Sequence, residues 1–337
     1  MMRLPPFTYL APRTLADAVT ALAEHGPAAM LVAGGTDLYP NMKRRQFEPT
    51  VLVGLRGLRE LQGVRGSVRD GFTIGAGTTL AAVAAHPGIA RDFPALATAA
   101  GLVSSPQLRN MGTLGGNVCV DTRCNYYNQS FEWRRAIGFC MKKDGDICLV
   151  APGSPRCWAV SSSDTAPVLV SLDARLRLVG RDGERTIPIG ALYRDDGIQY
   201  LARRPDEILT DIVLPAADGW KSVYLKLRRR GSFDFPVLGV AVAVKLEGDV
   251  VRNARIVLGA VASLPRPAEK AAAALVGQRL TPELIATVAG LAAGPSKPLD
   301  NTDFTHPYRK KVTRVFVARA LRAIAGLGGG AAVEEVA

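Results

Sequence analysis

MGTLGGN, Met111 to Asn117, and SSDTAP, Ser162 to Pro167, frame the part of the chain whose reading decides the fold. Gly112, Gly115 and Gly116 make a sharp loop in which backbone can approach another body closely. All five cysteines of the protein lie between the two frames: Cys119, Cys124, Cys140, Cys148 and Cys157. Fifteen, seven and eight residues separate the last four, and none of the pairs is a Cys-x-x-Cys knuckle of the kind that usually builds structural zinc sites. The segment also carries Arg123, Arg134, Arg135, Lys142, Lys143 and Arg156 against Glu132, Asp144 and Asp146. One long basic loop with four thiols suits enclosure of an anionic four-iron, four-sulfur (4Fe-4S) cluster, which takes four thiolates. Zinc, and unpaired or disulfide-linked thiols, stay open at this point. Cys119 stands outside the spacing and reads as a buried small residue.

Working outward toward the N-terminus, Thr14 and Asp17 form a capping-box variant for a helix over LADAVTALAEHG, which Gly26 stops. MLVAGG (Met30 to Gly35) and TVLVGL (Thr50 to Leu55) read as buried strands, giving a β-α-β start. Between them AGGTDLYP (Ala33 to Pro40) is either an anion-binding turn that presents backbone amides or a plain tight turn. It is not the Gly-x-Gly-x-x-Gly of nicotinamide folds. Asp70-Gly71 marks a hairpin, and Thr79 and Pro94 open helices.

Toward the C-terminus, Asp164 can cap a helix over TAPVLVSL, and Asp182-Gly183 is a second turn. LPAADG (Leu214 to Gly219) reads as a domain boundary. Beyond it, VLGVAVAVKL and VVRNARIVLGAV form an antiparallel pair through Glu247-Gly248-Asp249. Thr281-Pro282-Glu283 caps a helix, and the last helix starts near His306 with Val312, Val315, Phe316, Ala320 and Ile324 on one face.

The 337 residues imply two or three domains. A formal net charge of +12 admits nucleic acid, but the cations are dispersed and aromatics are only 6%, so no stacking platform is visible and nucleic acid is not expected. No apolar run reaches the roughly 18 residues of a membrane helix, and MMRLPPFTYLAP lacks a signal-peptide core. The expectation is a cytoplasmic chain without membrane contact, whose reduced thiols favour metal ligation over disulfides. His25, His86 and His306 are far apart in sequence and from the cysteines, which leaves no catalytic constellation of side chains.

MGTLGGN followed by SSDTAPVLVSLDA (Ser162 to Ala174) resembles the FAD-binding medium subunit of the molybdenum hydroxylases, the family of xanthine and carbon monoxide dehydrogenases. In most of that family the two motifs lie close together. An insertion here with four cysteines so spaced, in the text DTRCNYYNQS and RRAIGFCMKKDG, is similar to that of the 4-hydroxybenzoyl-CoA reductase β subunits. The resemblance covers essentially the whole chain. It implies an α+β fold: a PCMH-type FAD-binding unit with a small N-terminal βα subdomain (1–58) and a larger mixed subdomain (59–215) interrupted by the cysteine loop (118–161). A C-terminal domain of antiparallel sheet and helices (216–327) and a flexible tail (328–337) complete it.

The resemblance further implies that Leu31, Val32, Ala33, Gly34, Gly35, Thr36, Asp37 and Leu38 wrap the FAD pyrophosphate. Thr113, Gly115, Gly116, Asn117, Asp164 and Lys226 would contact the FAD, with Val103 facing the flavin. Without the resemblance Lys226 reads as a solvated strand lysine. Cys124, Cys140, Cys148 and Cys157 would hold the 4Fe-4S cluster. Implied partners are a molybdopterin-containing large subunit, a small subunit with two-iron (2Fe-2S) clusters, and a low-potential donor such as ferredoxin. The implied reaction is reductive removal of a phenolic hydroxyl from a benzoyl-CoA thioester. The alternatives are an FAD subunit of an ordinary molybdenum hydroxylase with a structural zinc loop, and a non-redox, zinc-stabilised binding protein.

Overall fold

A computed structural model describes residues 3–327, so the expected tail 328–337 lies outside the described residues. Three sheets organise the chain. The first is parallel, with Val51–Gly54 between Thr8–Leu10 and Ala29–Val32. Its central strand is buried along its whole length, as a strand covered on both faces must be. The helix Leu15–His25 packs Ala18, Val19 and Leu22 onto it, and the Thr14–Asp17 capping box forms in both directions. The edge strand Thr8–Leu10 has no sequence signal beyond three extended residues before a proline.

The second sheet is antiparallel, ordered Val64–Ser67, Gly71–Gly75, Ile208–Leu214, Arg175–Gly180, Gly183–Pro188. The Asp70-Gly71 and Asp182-Gly183 turns close its two hairpins. Helices Leu80–Ala85, Pro94–Leu102 and Thr165–Ser171 cover it, contributing Leu80, Leu96, Val168 and Leu169 to one core.

The third sheet is Arg266–Pro267, Val250–Gly259, Leu238–Glu247, Trp220–Leu227. Its long strand Leu238–Glu247 is buried on both faces, and the two faces differ in size. Val240, Val242 and Val244 point into a core shared with helices Pro282–Ala292 and His306–Ala325. Ala241 and Ala243 point the other way, into the core of the second sheet. Small residues are needed on that side because helix Thr165–Ser171 lies close, and a Cβ on Gly259 would stand 3.2 Å from the Pro167 ring. The third sheet is thus a wall shared by two cores, and it brings Tyr224 and Lys226 beneath the start of that helix.

In the last helix Val315 is 42% exposed, which corrects its expected place on the apolar face; Val312, Phe316, Ala320 and Ile324 are buried. No helix among the described residues is long and apolar enough to cross a membrane.

Candidate functional site

A cleft of about 620 Å³ runs between the first two sheets, within the size range of small-molecule sites. Every residue from Leu31 to Leu38 lines it, as do Thr113, Gly115, Gly116, Asn117, Val103 and Asp164. The two glycine turns meet back to back. A Cβ on Gly34 would fall 1.9 Å from the Met111 carbonyl oxygen, so only glycine permits the contact. Gly35 has φ of +69°, the left-handed region in which glycine carries no Cβ penalty. On the facing turn, the Gly115 amide donates to the Ala76 carbonyl at 2.8 Å. The expected loop at 113–117 is one helical turn, Leu114–Val118, capped by Thr113 Oγ1, which accepts from the Gly116 amide at 3.1 Å.

Asn117 ties the two frames of the motif together. Its Oδ1 accepts from Ser163 Oγ at 2.8 Å and Thr165 Oγ1 at 2.7 Å. Asp164 does not cap the helix that follows; Ser163 Oγ accepts from the Ala166 amide at 3.0 Å instead. The Asp164 carboxylate is free of that duty because it takes bonds from the strand below, Tyr224 Oη at 2.8 Å and Lys226 Nζ at 2.9 Å. Lys226 also donates to the Leu102 carbonyl at 3.0 Å. It is not a solvated lysine, and it stands behind Asp164 rather than in the cleft lining. Burial pushes the Asp164 carboxyl up, and the Lys226 ammonium opposes that push. Lys226→Met should therefore destabilise the fold by about 3–5 kcal/mol, the cost of leaving a buried charge unpaired. Thermal melts would measure it, and adding Asp164→Asn should recover most of the loss. A melt for Lys226→Met within a degree of wild type would contradict this account of the pair.

Sequence reasoning missed the cations of the cleft. Asp37 pairs with Arg123 across 86 positions, and Asn41 Nδ2 donates to Asp37 Oδ2 at 3.0 Å. Arg123 is buried under the Phe235 ring, 4.3 Å from its centroid, and burial pushes its guanidinium down to about 10. Arg44, Arg203 and Arg230 line the cleft as well. They sit in short basic runs, 43–45, 203–204 and 228–230, that carry no ligand-binding motif. Together they offer positive charge to an anionic ligand.

The cysteine loop is pinned on both sides. Arg134, fully buried, donates to the carbonyls of Arg44 and Arg45 at 2.9 and 3.0 Å. On the other side Asn301 Nδ2 donates to the Trp158 carbonyl at 2.6 Å, and the Asn125 amide to the Asn301 carbonyl at 2.9 Å. Within the loop Cys124, Cys140 and Cys157 pack into one buried group with Tyr127 and Ala159. Cys148 is buried too and lies within electrostatic reach of Cys157. All the cysteines are free thiols. Cys124 also lines the cleft, so the thiol pocket and the cleft adjoin. Burial pushes the Cys124 thiol up to about 12 and the Cys157 thiol to about 11. Backbone amides of Tyr126, Tyr127 and Ala159 face these two sulfurs and favour their thiolates. Among the described residues no three His, Cys, Asp or Glu side chains gather in a way that could hold a metal ion. Cys119 lies outside the thiol pocket, packed against the core of the second sheet beside Tyr193 and at the lining of the cleft.

Comparison with known proteins agrees with this geometry. Residues 5–217 match the family model described as the FAD binding domain in molybdopterin dehydrogenase, and 222–324 the CO dehydrogenase flavoprotein C-terminal domain. The carbon monoxide dehydrogenase medium chain of Hydrogenophaga pseudoflava is 29% identical over 95% of this chain and 97% of its own. The aldehyde oxidoreductase FAD-binding subunit of Escherichia coli is 33% identical over 80% of this chain and 86% of its own. Among solved structures, the reconstituted CO dehydrogenase from Oligotropha carboxidovorans superposes with a TM-score of 0.80 at 29% identity, covering 97% of this chain and all of that one. The mixed FAD-binding PCMH-type unit and the C-terminal antiparallel sheet domain expected from the sequence are those of the CO dehydrogenase medium-chain structures. The chain belongs to the family of FAD-binding medium subunits of the molybdenum hydroxylases.

Proposed function

We propose that the chain is the FAD- and 4Fe-4S-containing electron-transfer subunit of a molybdenum-dependent complex of the 4-hydroxybenzoyl-CoA reductase type. The observation that carries this reading is the buried packing of Cys124, Cys140 and Cys157, with Cys148 within electrostatic reach of Cys157, beside the flavin cleft. The donor set fits a cluster: four free thiols, amides directed at two of the sulfurs, and no histidine or carboxylate among them. Zinc asks its sulfurs to sit about 2.3 Å from one centre. When bound, the flavin and the cluster supply the redox chemistry.

The chain's own residues do the rest. Leu31 to Leu38 wrap the FAD pyrophosphate, with Gly34 and Gly35 admitting close backbone approach. Thr113, Gly115, Gly116 and Asn117 hold the other wall, and Asp164, fixed by Lys226, closes the inner end. The boundaries 1–58, 59–215 with 118–161 inserted, and 216–327 describe the units that shape the two sites. Partners are a molybdopterin large subunit and a 2Fe-2S small subunit, with electrons entering from a low-potential donor such as ferredoxin in the cytoplasm.

Cys119 is not a ligand in this reading, so Cys119→Ser should keep iron and flavin near wild type by metal analysis and absorbance; loss of iron would reassign the site. The function is tested on the whole complex, supplied anaerobically with reduced ferredoxin and 4-hydroxybenzoyl-CoA. Two electrons and two protons should convert the substrate to benzoyl-CoA and water. No dehydroxylation, with aldehydes or purines oxidised instead, would make this a subunit of an ordinary hydroxylase.

A further inference from the structure

Between the cleft and the thiol pocket lies a buried ion pair. Lys142 Nζ donates to Asp121 Oδ1 at 2.8 Å, Thr122 Oγ1 at 2.8 Å and the Gly197 carbonyl at 2.5 Å. These three bonds use all the protons of the ammonium. The two side chains are 6% and 4% exposed, and the rings of Tyr127 and Tyr200 lie 4.7 and 5.5 Å from the nitrogen. A lysine that only balanced the loop's charge would stay in water, because burying an ion pair costs several kcal/mol per ion.

The pair has two different ends. Gly197, whose carbonyl holds Lys142, packs so tightly on Cys157 that a Cβ there would stand 2.6 Å from Sγ. Tyr127, under the ammonium, packs with Cys124, Cys140 and Cys157. Asp121 instead lines the cleft with Val120 and Tyr200, and its carboxylate also faces the Tyr127 hydroxyl. The positive end faces the thiols and the negative end faces the cleft.

We infer that Lys142 and Asp121 act as a fixed dipole that raises the reduction potential of the thiol-held cluster and lowers that of the flavin. This rests on the reading of the two sites given above. Reduction adds negative charge, so a nearby cation stabilises the reduced form and a nearby anion destabilises it; in a buried setting the interaction is weakly screened. Both residues are positioning residues, since neither touches a reacting atom.

The test is a redox titration of the complex followed by paramagnetic resonance for the cluster and absorbance for the flavin, after iron and flavin contents are measured. Lys142→Gln should keep iron yet lower the reduced-to-oxidised ratio of the cluster about tenfold at a fixed potential, equal to about 59 mV for one electron. Lys142→Arg should restore most of that ratio. Asp121→Asn should move the flavin in the opposite sense. The double variant Lys142→Gln, Asp121→Asn leaves no lone buried charge and should show both shifts. Unchanged potentials with iron and flavin retained would overturn the inference. Loss of iron from Lys142→Gln and Lys142→Arg alike would also overturn it, making the pair a structural strut. A wild type without iron would instead sink the cluster reading, and the flavin shift in Asp121→Asn would still be judged by itself.

Discussion

Cys140→Ser should strip about four irons per chain while leaving most of the flavin in place. The side chain is buried in the thiol group, and serine is a near-isostere that binds soft metal poorly. The loop around it keeps its shape without help from the sulfur. The Lys143 amide donates to the Cys140 carbonyl at 2.9 Å and the Met141 amide to the Ile147 carbonyl at 2.9 Å. Gly138, Phe139 and Asp144 hold left-handed backbone that sets the turns. Flavin retention follows because the glycine turns lie outside the loop. Cys124→Ser makes the contrast, since Cys124 lines the cleft as well and should disturb both contents. Iron by atomic emission and flavin by absorbance on the same samples decide the matter. A Cys140→Ser protein with full iron would remove Cys140 from the ligand set.

Gly34→Ala should lose nearly all flavin and lower stability by about 1–3 kcal/mol, the usual penalty for forcing a methyl into packed space. The added Cβ meets the Met111 carbonyl and the Gly112 Cα, which are backbone atoms and cannot swing aside. The two turns must part, and the cleft between them loses its shape. Gly35 differs. A Cβ there meets the Tyr39 ring, which can move, but the φ of +69° strains any other residue. Gly35→Val should therefore also lose flavin, through backbone strain and its branch rather than through the opposing turn. Chemical denaturation beside flavin content separates the two effects. A Gly34→Ala protein with full flavin would refute the packing argument.

What was legible in sequence was local. The Thr14–Asp17 box, the Thr281 cap and the two Asp-Gly turns each concern residues a few positions apart, and each formed as read. The glycine motifs pointed to one cleft because their composition carries the reason for it. Tertiary partners were not legible. Nothing near Asp37 names Arg123, and nothing near Arg134 names the carbonyls of residues 44 and 45. Lys226, an FAD contact by resemblance and a surface lysine without it, proved to be the buried partner of Asp164. Ser163 and Asp164 are both good helix caps, and only the strand carrying Tyr224 and Lys226 decides which of them takes that role. Val315 failed because the last helix is covered along a narrower stripe than its apolar residues suggest.

The central claim is that the cysteine loop makes this FAD subunit an iron–sulfur protein. Metal analysis of the chain, expressed anaerobically with iron–sulfur assembly intact, tests it most directly. The account requires about four irons per chain, no stoichiometric zinc, and a paramagnetic signal on reduction that the flavin cannot supply. Stoichiometric zinc without iron, in a protein that still binds flavin, would contradict it and leave the loop a redox-silent clip.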